Sequence, residues 1–74
     1  MANHEFKSKV GKRLKEMRTA FGYAQKYLAQ QLRVSVSTYR NWELGVSISN
    51  INNYYILVVK IYKMTLQDFF APCR

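Results

Sequence analysis

Residues that break regular structure are scarce in this chain. Its 74 residues include three glycines, at positions 11, 22 and 45, and a single proline, Pro72. Glycine and proline interrupt regular structure more strongly than any other residues, so long segments joined by short connections are expected. The chain is therefore predicted to be one mostly helical domain spanning residues 5–70, with tails at residues 1–4 and 71–74.

The spacing of apolar residues places the first helix. At about 100° per residue, five apolar side chains fall on one narrow stripe: Phe6, Val10, Leu14, Met17 and Phe21. This pattern predicts a helix from about Glu5 to Phe21, and Gly22 follows it as a residue that tolerates the backbone angles of a helix end. Arg18 lies at the edge of the stripe, where its side chain can reach a buried partner.

Two short helices are predicted to follow. The first covers about residues 25–32, and the second runs to about residue 44 from Ser35, which is a good N-cap. Gly45 ends the second helix. Since only about three residues separate the pair, the two helices must cross steeply, and Ala29 supplies a small side chain where they approach.

The last third of the chain predicts two more helices. One begins at about Ile51 and is expected to bury Tyr55, Val58 and Tyr62, with Tyr54 and Ile61 alongside them. Its β-branched residues also permit a strand. A short final helix is expected over residues 65–70, with a threonine as its N-cap. The expected fold class is therefore all-α, with five helices in a compact bundle.

The charge of the chain points to a polyanionic partner. Twelve Lys and Arg residues face four Asp and Glu residues, which gives a formal net charge of +8. Nine of the twelve basic residues lie within residues 1–40, so the positive field is concentrated on one part of the molecule. A strongly basic small domain is typical of proteins that bind nucleic acids.

The same composition argues against catalysis and metal binding. One histidine, His4, one cysteine, Cys73, and four scattered acids do not supply convergent groups for acid–base, nucleophilic or metal chemistry. We therefore expect no enzyme activity, no cofactor and no small-molecule ligand. The lone cysteine, the absence of a signal peptide and the six-residue limit of the longest apolar run, 54–59, predict a cytoplasmic protein without membrane contact.

Three segments of the chain carry a family resemblance. They are Gln25-Lys-Tyr-Leu28-Ala29, Leu32-Arg-Val34-Ser35 and Tyr39-Arg-Asn-Trp42-Glu43-Leu-Gly45. Together they resemble the helix-turn-helix of the Cro/C1-type (XRE) transcriptional regulators. The flanking segments 14–18 and 64–69 are also similar. The resemblance implies a lambda-repressor-like fold with a helix-turn-helix at about residues 25–44, whose second helix enters the major groove of DNA while the first crosses the phosphates.

The resemblance also implies which residues read bases. The usual base-reading positions correspond here to Val36, Ser37 and Asn41, with Arg40 between a base edge and the backbone. Their chemistry fits, since Asn can pair with adenine, Arg with guanine, and an apolar side chain can touch a thymine methyl group. Arg40 could equally contact a phosphate, and Ser37 could be an ordinary surface hydroxyl.

Phosphate contacts are expected at Gln25, Lys26, Thr38 and Lys12. Each has a plainer interpretation: a solvated side chain for Gln25 and the lysines, and a hydroxyl bonded to the backbone for Thr38. Within the domain, the resemblance implies an ion pair between Arg18 and Glu43, and the helical wheel independently puts both at the edge of the core.

Two positions depart from the family pattern. Arg33 stands where glycine is usual and must tolerate turn angles that are costly for a residue with Cβ. Ala24 stands where a hydroxyl usually caps the second helix.

The function expected from these residues is that of a sequence-specific regulator of double-stranded DNA, acting as a homodimer and most simply as a repressor. The candidate dimer contacts are helix 4, its connection to the last helix, the last helix itself and the outward-facing ring of the Phe69–Phe70 pair. Both rings could equally cover the core of a monomer. Two alternatives stay open: an antitoxin or other protein-interaction module with the same fold, which would have a protein partner, and a nonspecific DNA binder.

Overall fold

A computed structural model describes residues 2–73, and these residues form helices and turns without a strand. The elements are α1 (Ala2–Phe21), α2 (Gln25–Leu32), α3 (Val36–Leu44), α4 (Ile51–Tyr55), which continues as a π-helical segment (Ile56–Ile61), α5 (Leu66–Phe70) and a 3-10 turn (Ala71–Cys73). The all-α prediction is confirmed, and the strand alternative for the fourth helix is wrong.

Local sequence explains where most of the helices begin. The Ser35 hydroxyl accepts a hydrogen bond from the Thr38 amide at 3.0 Å, and Asn50 and Thr65 cap α4 and α5 in the same way. Each cap satisfies a backbone amide that has no partner within the helix. Ala24, in the N-cap position of α2, makes no side-chain cap.

The end of α2 is unusual because a residue with a side chain adopts left-handed backbone angles there. Arg33 has φ 59° and ψ 42°. The Val34 amide then reaches back to the Ala29 carbonyl at 3.0 Å, which is the hydrogen-bond pattern that closes many helices. Gly45 makes the same kind of closure after α3 at φ 76°, where glycine has no Cβ to strain.

The core of the helix-turn-helix lies between α1, α2 and α3. Leu14, Leu28 and Tyr39 are fully buried, and Trp42 retains only 5% of its surface. Gly11 lets α1 and α3 approach closely, since a Cβ there would lie 2.5 Å from the Glu43 carbonyl oxygen. The backbone of α3 is therefore held directly against α1, and its outer face is left to solvent.

The predicted first helix is shorter than the helix observed. The observed helix begins at Ala2, whereas the predicted one began at about Glu5. A helix of 20 residues is about 30 Å long, close to the 32 Å longest dimension of the molecule. Because α1 reaches both ends of the core, Phe6 and Phe21 remain about half exposed while Val10 and Leu14 are buried.

The register expected for the fourth helix is wrong at Tyr55. That side chain is 46% exposed, whereas Tyr54 and Leu57 are buried with Val58 and Tyr62. The reason is the π-helical segment, whose wider turns bond residues five apart instead of four. A wheel drawn at the α-helical angle therefore misplaces the buried side of this helix.

The C-terminal residues join the core where a tail was expected. Cys73, in the 3-10 turn, is 2% exposed, and its thiol lies 3.6 Å from the Lys9 carbonyl oxygen. Arg13 holds this end to α1 by donating from Nε to the Phe69 carbonyl oxygen at 2.9 Å. Only the outermost expected tail positions, residues 1 and 74, lie outside the described residues. Within residues 2–73, no helix combines the length and apolarity needed to span a membrane.

Candidate nucleic-acid interface

One face of α3 is exposed to solvent. Tyr39 and Trp42 anchor the opposite face in the core, with ring centroids 5.8 Å apart in an edge-on arrangement. Ser37, Arg40 and Asn41 are exposed. Hydrogen-bonding side chains are thus presented outward by a helix whose inner face is fixed by two large aromatic residues.

Two further α3 residues border this face. Val36 is half-buried in the first turn and contacts the core, so only part of its side chain is available. Leu44, at the last turn, is 66% exposed. The exposed face therefore combines polar groups in its middle with apolar groups near both ends.

A bidentate ion pair fixes α3 to α1. Arg18 Nε lies 2.6 Å from Glu43 Oε2, and Arg18 Nη2 donates to Glu43 Oε1 at 3.2 Å. The two side chains retain 15% and 4% of their surface. Arg18 also donates from Nη1 to the Tyr23 carbonyl oxygen at 3.1 Å, so one guanidinium joins α1, the turn before α2, and α3.

The charge on Glu43 is stabilised by these neighbours. Burial alone would raise the pKa of Glu43, but the hydrogen bonds from Arg18, and the nearby Tyr39 hydroxyl and Gln25 amide, outweigh it and lower the pKa below its ordinary value. The Tyr39 hydroxyl itself lacks a partner in hydrogen-bond geometry among residues 2–73. Burial, followed by the short-range interaction with the Glu43 carboxylate and then by its charge, raises the pKa of Tyr39, so its hydroxyl stays protonated.

Gln25 is part of the same network. Its Nε2 atom donates to Glu43 Oε1 at 3.0 Å, and its side chain is half-buried. The sequence did not reveal this bond, which uses the side-chain group that was expected to reach a phosphate. The backbone amides at the start of α2 have no side-chain cap from Ala24, and free amides at a helix N-terminus are groups that can bind an anion.

The other expected phosphate contacts lie at different places. Lys26 is exposed on the first turn of α2. Thr38 is exposed, but its hydroxyl already bonds to the Ser35 hydroxyl at 2.9 Å. Lys12 is exposed on α1 and lines a groove with Arg13, beside the C-terminal turn.

A cationic cleft borders the exposed face of α3. It has a volume of about 560 Å³ and is lined by α1, the start of α2, and α3. Lys15 and Arg40 are among its walls, together with the Arg18–Glu43 pair and Gln25. In the sequence, Lys15 is one of several basic residues of the first helix. Only the fold shows that it lies beside α3.

Comparison with known proteins identifies the family. The family model described as "Helix-turn-helix" matches residues 14–58, which is more than half of the chain and includes all of α2 and α3. Searches of curated proteins and of solved structures give no significant match. This match, together with the all-helical fold, shows that the chain belongs to the Cro/C1-type (XRE) family of DNA-binding helix-turn-helix regulators.

Proposed function

We propose that this protein is a sequence-specific regulator of transcription that binds double-stranded DNA as a dimer and represses by occluding the promoter. The observation that carries the proposal is the exposed face of α3, which is immobilised from behind by Tyr39, Trp42 and the Arg18–Glu43 pair. Rigid presentation favours specificity, because a base edge rewards a hydrogen-bonding group only at a defined position.

The base contacts proposed for α3 follow from its exposed groups. Asn41 carries the amide that can bond an adenine through N6 and N7, and Ser37 can bond several base edges. The exposed part of Val36 suits the methyl group of thymine. Each well-made bidentate contact discriminates against a wrong base by about 1–3 kcal/mol.

Phosphate binding is proposed at the start of α2. The amides of this eight-residue helix have no side-chain cap, and Lys26 adds an exposed positive charge beside them. Such contacts fix the position of the domain on the duplex without reading sequence. Gln25 contributes through its backbone amide, since its side-chain amide is bonded to Glu43. Thr38 and Lys12 stay predicted contacts to the phosphate backbone of DNA.

The proposed dimer would form through an apolar groove on the side of α4 and α5. The groove, of about 270 Å³, is lined by Phe6, Ile48, Ile51, Tyr54 and Phe70. Ile51 is 65% exposed, and Phe6 stacks on Phe70 with ring centroids 6.4 Å apart. A groove with a protruding apolar residue at its edge suits the self-complementary contact of a two-fold dimer. Two subunits would then present two α3 helices to two half-sites.

The same groove also supports the alternative of a protein-interaction module, such as an antitoxin. In that case a different chain would cover Ile51 and Phe70, and DNA binding would depend on that chain. Sedimentation of the isolated protein separates the two proposals, since a homodimer must form without any other polypeptide.

The first experiment is selection of binding sites from a randomised duplex library at about 150 mM salt, where purely electrostatic binding is weakened. We expect an enriched inverted repeat, whose half-site spacing would give the dimer geometry. A single half-site would argue for a monomer. Flat enrichment would refute sequence-specific regulation and favour a nonspecific binder or a domain that requires a partner.

A matched pair of variants then tests the role of α3. Asn41→Ala is expected to lower affinity for the selected site by about 10–100-fold and to relax preference at one base pair. Asn52→Ala, at an exposed asparagine on α4, is the control and is expected to have little effect. Equal losses for Asn41→Ala on selected and random duplexes would contradict base reading by Asn41.

A further inference from the structure

The cationic cleft beside α3 contains more positive charge than its single carboxylate can neutralise. Glu43 is the one acid in its walls, and it is already held by both Arg18 and Gln25. Lys15 and Arg40 line the same cleft, and neither side chain has an ionic partner among the described residues. The cleft therefore has two cations available for an anion from outside the domain.

The geometry of α1 separates Lys15 from Lys12, the other exposed lysine described on that helix. At about 100° per residue, Lys15 lies about 60° around the helix from Arg18, which points at α3, whereas Lys12 lies about 120° away. Accordingly, Lys12 lines a different groove, with Arg13, Glu16 and the C-terminal Pro72. Lys15 faces the side of the molecule that presents α3.

The geometry of α3 similarly separates Arg40 from Asn41. Arg40 lies about 60° around the helix from Glu43, on the side of the cleft, while Asn41 lies about 160° from Glu43. Arg40 is exposed and forms part of the cleft wall, and Asn41 is exposed without lining it. The two neighbouring residues therefore face different parts of a duplex docked on α3.

We propose that Lys15 and Arg40 act together from two walls of this cleft to bind the phosphodiester backbone of DNA. This inference rests on the proposed function. It assigns Arg40 to the DNA backbone rather than to a base, and it makes Lys15 a stronger phosphate contact of α1 than the predicted Lys12. The uncapped amides at the start of α2 border the same cleft through Ala24 and Gln25, so the three elements converge on one strand of phosphates.

The test compares Lys15→Ala, Arg40→Ala and the double variant with the wild type on selected and random duplexes, over a range of salt concentrations. Each phosphate contact contributes about 0.9 to the slope of log K against log salt. We expect each single variant to reduce the slope by about that amount and to weaken both duplexes by the same factor. Lys60→Ala, at an exposed lysine of the π-helical segment outside the cleft, is the charge-matched control.

Several results would overturn this assignment. One is a slope for Lys15→Ala equal to that of Lys60→Ala, and another is a larger slope change for Lys12→Ala than for Lys15→Ala. An Arg40→Ala loss confined to the selected duplex would mean that Arg40 reads a base. Displacement of DNA by inorganic phosphate at constant ionic strength would indicate a site for free phosphate. If the wild type bound no duplex, the proposed function itself would fail.

Discussion

Replacing Gly11 by alanine tests whether direct backbone contact between α1 and α3 positions the recognition helix. The new Cβ would lie 2.5 Å from the Glu43 carbonyl oxygen and 2.6 Å from that of Trp42. Ordinary contact begins at 3.4 Å, and the obstructing atoms are backbone near the end of α3, so no side chain can simply rotate away. The two helices must separate by about 1 Å to restore normal packing distances.

The magnitude follows from two opposing effects. Forcing an extra methyl group into a filled site costs about 1–3 kcal/mol, and we take about 3 because backbone must move. Alanine in place of glycine inside a helix returns about 1 kcal/mol. The expected net loss is about 2 kcal/mol, which in a domain of this size lowers the melting temperature by about 8–16 °C. Arg18 lies two turns along the same face of α1, so separation would also stretch its bonds to Glu43.

Thermal unfolding followed by circular dichroism gives the stability, and DNA affinity measured well below the transition gives the effect on α3. Gly22→Ala is the matched control, because its Cβ would meet nothing within 4 Å and only the positive φ of 75° opposes it. We expect the control to lose about 1 kcal/mol through strain and to keep the affinity of the folded domain. A Gly11→Ala protein as stable as the wild type, or more stable, would refute the inferred close contact.

Three further predictions concern the turn, the cap and the ion pair. Arg33→Gly should stabilise the domain by about 1 kcal/mol, seen as a higher urea midpoint with unchanged slope, because glycine relieves the positive φ of 59°; a lower midpoint would contradict that strain. Ala24→Ser should also raise the urea midpoint, because a new cap on α2 adds about 1 kcal/mol to the free energy of unfolding; no change would mean that the cap does not form. Glu43→Ala should cost about 3 kcal/mol by leaving Arg18 unpaired. The pKa of Glu43 is lowered from 4.5. The wild type should therefore be more stable than Glu43→Gln by a full, constant amount above pH 4.5, and this difference should decline as the pH falls through the lowered pKa. A pH-independent difference in stability would contradict this assignment.

The C-terminal part of the molecule illustrates a limit of helical periodicity. The spacing of Tyr55, Val58 and Tyr62 fits one face of an ideal α-helix, and that choice left Tyr55 on the wrong side. The π-helical turns change the angle between successive residues, and no residue between Ile56 and Ile61 is a glycine or proline that would announce them. Burial of Cys73 beside Lys9 likewise depends on a contact between residues 64 positions apart.

The polar site shows the same division between local and distant information. The wheel put Arg18 and Glu43 at the edge of the core, and the structure brings them together across 25 residues. The wheel does not indicate that Gln25 would join them, because a side-chain amide on a first turn is equally compatible with solvent. Similarly, Lys12 and Lys15 are equivalent by residue type and exposure, and only the position of α3 distinguishes them.

The sequence by itself determined the helical class, the extents of α2 and α3, the caps at Ser35 and Thr65, and the helix-turn-helix family. These depend on interactions within a few residues along the chain, such as apolar periodicity, cap hydrogen bonds and the backbone freedom of glycine. Only the tertiary structure decided which cations border the recognition helix, how closely α1 approaches α3 at Gly11, and which tyrosine of α4 is buried. These depend on distances between segments remote in sequence, which are defined only when the helices pack together.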